Sequence, residues 1–169
     1  MDCMGDLKGL MTAIPRRTLA VAESLTCGRL QARIGAISGA SDFFLGGITA
    51  YSLEQKLRHL GVERAAASAV NSVSAAVAEQ MARGACTLFG SDLGIGTTGY
   101  AEPSVEWRVA EPFAWWGLAR RLPEGGYAVA SGRVDCPGKT RVEVQDCVAA
   151  AALDALVGWI TGPAAARRP

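Results

Sequence analysis

The stretch TLAVAESLTCGRLQARIGAI, residues 18–37, decides how this chain is read. TLAVAES is a compact apolar run that stops abruptly at Glu23-Ser24, after which Leu30, Ile34 and Ile37 recur at helical spacing. This predicts strand, loop, helix. The order returns in DFFLGGITAYS (42–52), an apolar strand with a Gly-Gly pair, followed by the helix LEQKLRHLGV (53–62). Between Ala65 and Phe89 the chain is alanine-rich, and Val73, Val77, Met81 and Leu88 recur near the helical period, predicting one long helix packed on a sheet. SDLGIGTTGYAEP (91–103) alternates small and apolar residues into a third strand ending at Thr97-Thr98-Gly99. FAWWGLARR (113–121) and GYAVASGRVDC (126–136), joined by LPEGG, predict a hairpin, and RVEVQDCVAAAALDALVGWI (141–160) predicts a long closing helix. Residues 1–14 predict a short helix with Leu7, Leu10, Met11 and Ile14 on one side, stopped by Pro15. The expected fold is α/β, a three-layer α/β/α sandwich with a mixed sheet. It forms a single domain over 1–169, with its core at about 16–160 and a flexible tail at 161–169. Ligands of such sheets lie beyond the carboxyl ends of the strands, where this reading places Ser24, Tyr51 and Thr98.

Composition narrows the function classes. Of 169 residues half are apolar, and the formal charge of +1 provides no field for drawing in nucleic acid or an anionic membrane. No run of 18 apolar residues occurs, and acids and glycine interrupt the opening segment before a signal-peptide core could form, so a cytoplasmic location is expected. Five scattered cysteines form no Cys-x-x-Cys, and His59 is the single histidine, which disfavours both a metal site and a Ser-His-Asp triad. His59 itself, in KLRHLGV, reads as an exposed or capping residue at a helix end. There is no phosphate-binding Gly-x-x-x-x-Gly-Lys-Ser/Thr loop, and the glycines of GIGTTG fall inside a strand. No metal or cofactor is expected.

Two residues stand out. Ser24, between a strand and a helix start, suits a nucleophile whose oxyanion is steadied by helix amides, or else a plain N-cap. The chain has only Lys8, Lys56 and Lys139 among its 17 basic residues. Lysine, unlike arginine, can lose its proton on burial, so Lys56 reads either as a general base for a serine or as a surface charge on its helix.

The segment AVAESLTCGRLQARIGAISGASDFFLGGITAYSLEQKLRHLGV (20–62) resembles the CinA C-terminal domain family, the nicotinamide mononucleotide deamidases. Members of that family read AESxTGG, PGAS, FxGG, and TYS followed by a lysine and LGV. The similarity continues through VSAAVAEQMARGACTLFGSDLGIGTTGYAEP (73–103) and, more weakly, to Arg141 and the closing helix. The resemblance implies a metal-independent Ser/Lys amidohydrolase that turns nicotinamide mononucleotide and water into nicotinate mononucleotide and ammonia. Its partner would be a small pyridine nucleotide, and a homodimer or higher homo-oligomer is expected. By resemblance Ser24 matches the nucleophile and Lys56 the base, while Tyr51 and Thr98 fall on positions that would aim Lys56 or shuttle a proton. Arg141 matches a substrate-binding arginine if one residue is inserted after Gly138, and Thr26, Gly46, Gly47 and Gly99 match further substrate-binding positions.

The departures carry expectations too. Where the family has TGIAGPGGG this chain has TGYAEPSVE (98–106), so Glu102 and Glu106 are expected to repel a phosphate, with Arg141 offsetting part of that. Cys27 replaces a family glycine three residues after Ser24 and either adds bulk beside the nucleophile or packs as a small apolar residue; Gln145 replaces an arginine. A non-catalytic nucleotide-binding or regulatory module of the same fold, or an amidohydrolase with a changed substrate, is the alternative.

Overall fold

The computed structural model describes residues 3–162, so the 163–169 part of the expected flexible tail lies outside the described residues. In chain order the elements are α1 (Cys3–Thr12), β1 (Leu19–Glu23), α2 (Arg29–Gly35), β2 (Phe44–Thr49), α3 (Leu53–Leu60), α4 (Arg64–Ser68), α5 (Ala75–Phe89), β3 (Leu93–Tyr100), β4 (Phe113–Arg121), β5 (Tyr127–Asp135) and α6 (Arg141–Thr161). The five strands form one mixed sheet in the order β2-β1-β3-β4-β5. β1 pairs parallel to both β2 and β3, and the β4–β5 hairpin continues the sheet antiparallel from β3. Helices cover both faces, giving the expected three layers.

Alternation along the strands builds two unlike cores. In β1 the large residues Leu19 and Val21 face one way and the small Ala20 and Ala22 the other, as period-two side-chain geometry requires. Leu93 and Ile95 of β3 and Leu118 of β4 join the large face, where they meet α1, α2 and α6 through Leu7, Met11, Leu30, Ile34, Leu153 and Leu156. The opposite face of the same strands carries Gly94, Gly96 and Gly117. A Cβ on any of these three would run into the backbone of α5 at Ala78 or Ala82. The helix therefore lies directly on the sheet, seated by the absence of side chains beneath it. It is capped by Ser74, whose hydroxyl accepts from Val77 N at 3.2 Å, and it ends at Gly90 with φ 71°.

Three details depart from the sequence reading. The alanine-rich stretch forms two helices instead of one, separated by a turn in which Asn71 and Ser72 adopt φ values of 48° and 59°. Ile14 falls beyond the end of α1 and is exposed, leaving Leu7 and Met11 as the buried contacts of that helix. The closing helix continues through Thr161. By length and mean hydropathy, 1.3, α6 could cross a membrane. Val144, Val148, Ala149, Ala152, Leu153 and Leu156 are instead buried within the molecule, as in a core helix.

At β2 one extra residue, Leu45, interrupts the pairing with β1: Leu19 faces Phe44 and Ala20 already faces Gly46, whose φ is 136°. A bulge of this kind uses glycine for its backbone, and a Cβ there would press on the Phe89 ring at 3.0 Å.

Adding a methyl under α5 tests the seating of the helix. Gly96→Ala is expected to lower stability by roughly 1–3 kcal/mol, the usual penalty of overpacking, measured by urea unfolding. Unchanged stability would show that the helix rides higher on the sheet than described.

Candidate active site

β1 lies between its two parallel neighbours, and its carboxyl end is held from both sides. Ala50 N donates to Glu23 O at 2.9 Å, and Ser24 N donates to Thr97 O at 3.0 Å. Ser24 thus emerges at the point where the chain leaves the sheet, and it is nearly buried. It does not cap α2. A turn over 25–28 intervenes, with Cys27 and Gly28 at φ 50° and 95°, and Gly28 is the N-cap residue.

The amides at the start of α2 are already used. The buried Glu23 carboxylate accepts from Gly28 N at 3.0 Å, Leu30 N at 3.1 Å and Gln31 N at 3.0 Å, and from Gln31 Nε2 at 3.1 Å. The expected oxyanion-binding role of that helix start is therefore corrected: its donors neutralise the desolvation of an internal carboxylate. Among the described residues, the N–H groups of Leu25 and Thr26 in the intervening turn have no hydrogen-bond acceptor within the protein.

Lys56 comes from α3. Ser52 caps this helix, accepting from Gln55 N at 3.4 Å, and Gly61 closes it with φ 65°. Lys56 and Leu60, four residues apart, occupy the buried side. The Lys56 residue is only 3% exposed, which removes the surface-charge reading. Its Nζ donates to Tyr51 O at 2.8 Å. Burial pulls the ammonium pKa down from 10.5 to about 8. Tyr51 therefore aims Lys56 through its carbonyl, whereas its hydroxyl accepts from Arg141 Nη1 at 3.4 Å.

Ser24, Lys56, Tyr51, Thr98 and Gly99 line one compartment of about 210 Å³, together with Asn71 and Tyr100. It adjoins a larger compartment of about 430 Å³ that shares Leu25, Tyr51, Asn71, Gly99 and Tyr100 and extends to Glu102, Trp107 and Arg141. Of the residues expected at the site, these five and Arg141 are brought together. Thr98 lies within β3 and its hydroxyl donates to Ser72 O at 2.6 Å, so it neither aims Lys56 nor offers its proton freely.

The others stand apart from the cleft. Thr26 is fully buried and shares a hydrogen bond with the Thr97 hydroxyl at 2.8 Å. Gly46 and Gly47 sit within β2 against Phe89 and against Val21 and Gln31. Cys27 is exposed, so it does not pack as an apolar residue, and its positive φ accounts for glycine as the natural occupant of the position. Gln145 is buried on α6, and His59 is exposed with its Nε2 2.9 Å from Gln55 Oε1. Among the described residues no group of three His, Cys, Asp or Glu side chains is placed to hold a metal ion.

The charges in the larger compartment differ from expectation. Glu102 does not stand free: its Oε2 accepts from Arg141 Nη2 at 2.6 Å, which lowers the carboxyl pKa and raises that of the guanidinium. The residues that sequence reasoning missed are Asn71, whose Nδ2 donates to the Tyr100 hydroxyl at 3.2 Å, and the aromatic pair Tyr100 and Trp107. The Asn-Ser-Val-Ser run after Ala69-Val70 was the available signal, because those residues favour turns and caps over helix interiors.

The family model for the CinA C-terminal domain matches residues 9–160. This chain belongs to the CinA C-terminal domain family. A competence-damage inducible protein of Moorella thermoacetica is 47% identical over 102 residues, 60% of this chain and 25% of that protein. A CinA-like protein of Picosynechococcus is 53% identical over 88 residues, 52% of this chain and 21% of that one. The chain thus spans a quarter or less of the length of these curated relatives. The competence damage-inducible protein A from Klebsiella pneumoniae shares the fold, with a TM-score of 0.84 at 24% identity, covering 96% of this chain and 97% of that one. Within this CinA-type fold, the parallel trio β2-β1-β3 supplies the cleft and the antiparallel hairpin stays outside it.

If Thr98 works by holding the turn between α4 and α5, then Thr98→Val leaves the Ser72 carbonyl buried without a donor. A loss of roughly 1–3 kcal/mol in unfolding free energy is expected. A variant as stable as wild type would return Thr98 to a direct role at the site.

Proposed function

We propose that this CinA-family chain is a metal-independent Ser/Lys amidohydrolase of the nicotinamide mononucleotide deamidase type. The observation that carries the reading is a lysine buried to 3% exposure in the compartment that Ser24 also lines, with its pKa brought to about 8. A buried lysine without an ion-pair partner is costly to keep, and its return is a base that is neutral at accessible pH.

The reaction follows from these groups. Neutral Lys56 keeps one N–H on Tyr51 O and uses its lone pair to take the Ser24 proton. The Ser24 oxygen bonds to the carboxamide carbon, and the negative charge passes to the amide oxygen. The free amide of Leu25, a residue that lines the compartment, is the nearest backbone donor in sequence to steady it. Lys56 returns the proton to nitrogen, the C–N bond breaks, and ammonia leaves an ester on Ser24. Water attacks that ester while Lys56 takes its proton, Lys56 passes the proton to the Ser24 oxygen as the ester C–O bond breaks, and the carboxylate product departs. With nicotinamide mononucleotide, the substrate implied by the family resemblance, the products are nicotinate mononucleotide and ammonia. The ion pair between Arg141 and Glu102 favours a second reading, the same chemistry on a changed substrate.

Ammonia release measures both residues and the pH dependence. Ser24→Ala is expected to abolish turnover with the fold retained by circular dichroism; a folded variant at full rate would dispose of the mechanism. Lys56→Arg should lose on the order of 100-fold or more, since guanidinium cannot act as base. In wild type kcat/KM should rise with pH and level off above about 8, where Lys56 becomes neutral. A rate that falls through the same range would mean that the charged ammonium is the working form.

A further inference from the structure

The larger compartment carries two carboxylates, Glu102 and Glu106, and one guanidinium, Arg141. Arg141 Nη2 is committed to Glu102 Oε2 at 2.6 Å and Nη1 to the Tyr51 hydroxyl at 3.4 Å, so the fork that would grip a phosphate is already occupied. Glu106 forms no ion pair among the described residues. Lys56 adds no charge to the neighbouring compartment when it is neutral, the form in which it acts as base. The joined cleft is then negative overall when ready to react. Tyr51, Tyr100 and Trp107 line it, aromatic side chains of the kind that attract cations.

From this arrangement we infer that the substrate is a carboxamide carried on a cationic or uncharged hydroxylated group, not on a phosphate, and that Glu102 sets this preference. The reaction assigned to that substrate, and the neutral Lys56 that leaves the cleft negative, rest on the amidohydrolase reading above; the pairing of Arg141 with Glu102 and the placing of Glu106 in the cleft do not. A phosphate dianion reaching Arg141 must displace a charge-assisted hydrogen bond and then sit beside the released carboxylate and Glu106. A pyridinium carboxamide on a bare ribose meets no such conflict. Its positive ring faces a negative cleft with aromatic walls, and its hydroxyls find Glu102 and Asn71 as partners. Glu102 acts here as a specificity-determining residue, because it decides which end-group Arg141 is free to meet.

The probes are nicotinamide riboside and nicotinamide mononucleotide, which differ only by the phosphate. Binding is measured by calorimetry on the Ser24→Ala protein, and kcat/KM by ammonia release on wild type. The riboside is expected to bind more tightly, with a preference that shrinks as salt is raised. Glu102→Gln should shift the ratio of dissociation constants toward the mononucleotide by about threefold or more, and Glu106→Gln by a smaller factor in the same direction, in keeping with exposed charges. Equal or tighter mononucleotide binding before substitution, a ratio unmoved in both variants, or binding of neither probe would overturn the inference. If the riboside preference and its shift are found while neither compound releases ammonia, the charge preference stands and the amidohydrolase reading fails.

Discussion

The contact on which this molecule depends is the seating of α5 on a sheet face stripped of side chains. Gly94, Gly96 and Gly117 leave no atoms between the strands and the helix backbone at Ala78 and Ala82. Close approach of this kind buries backbone against backbone and gains dispersion contacts that larger residues would hold apart. Its cost is borne by glycine, which loses the most conformational freedom on folding. The opposite face compensates, since Leu19 and Val21 of β1, Leu93 and Ile95 of β3 and Leu118 of β4 point there and pack with α1, α2 and α6. The depth of α5 also fixes where its amino end lies. Ser74 caps the helix just after the turn that brings Asn71 and Val73 to the cleft, and Thr98 ties that turn down through Ser72 O.

The candidate site follows from the same frame. Three parallel strands place their carboxyl ends side by side, and the middle one delivers Ser24 between hydrogen bonds to both neighbours. α3 then brings a charged residue where its amphipathic pattern would put an apolar one. A lysine at such a position loses hydration and gains only one carbonyl, Tyr51 O, in return. Positions that sacrifice stability in this way are where chemistry is expected. The Glu23 carboxylate has a different task. It folds back onto the start of α2 and makes the turn after Ser24 self-supporting, so the surroundings of Ser24 are held by an internal acid instead of by ligand.

What the sequence made legible was what depends on local periodicity. Leu-Ala-Val-Ala and Leu-Gly-Ile-Gly announce strands with two unlike faces, and both strands form, although β3 runs on through Tyr100 and takes in Thr98, which the sequence placed at its end. The break between α4 and α5 was hidden because alanine favours helix strongly enough to mask the Asn-Ser turn inside it. At the site, Ser24 was legible from the strand-to-loop change. The burial of Lys56 was not, because a helix pattern marks which residues share a face but not how deep a charged member of that face will lie. The pairing of Glu102 with Arg141 spans 39 residues and joins a loop to a helix start, so no local pattern contains it. Thr26 and the Gly46-Gly47 pair show the converse. Motif position suggested contact with a ligand, whereas burial and strand geometry give them structural work.

The bulge at Leu45 has a meaning for the rim of the sheet. Among the described residues β2 is an outermost strand, and its outward backbone N–H and C=O groups have no partner strand beyond them. A regular rim of that length would be a template on which a second chain could lay down a matching strand. The extra residue breaks the even rhythm of donors and acceptors near the start of β2, and the backbone at Gly46 twists away from the ideal ribbon. Only a short uninterrupted run remains for an incoming strand. The chain thereby carries its own guard against adding copies edge to edge, placed on the opposite side of β1 from the strands that seat α5.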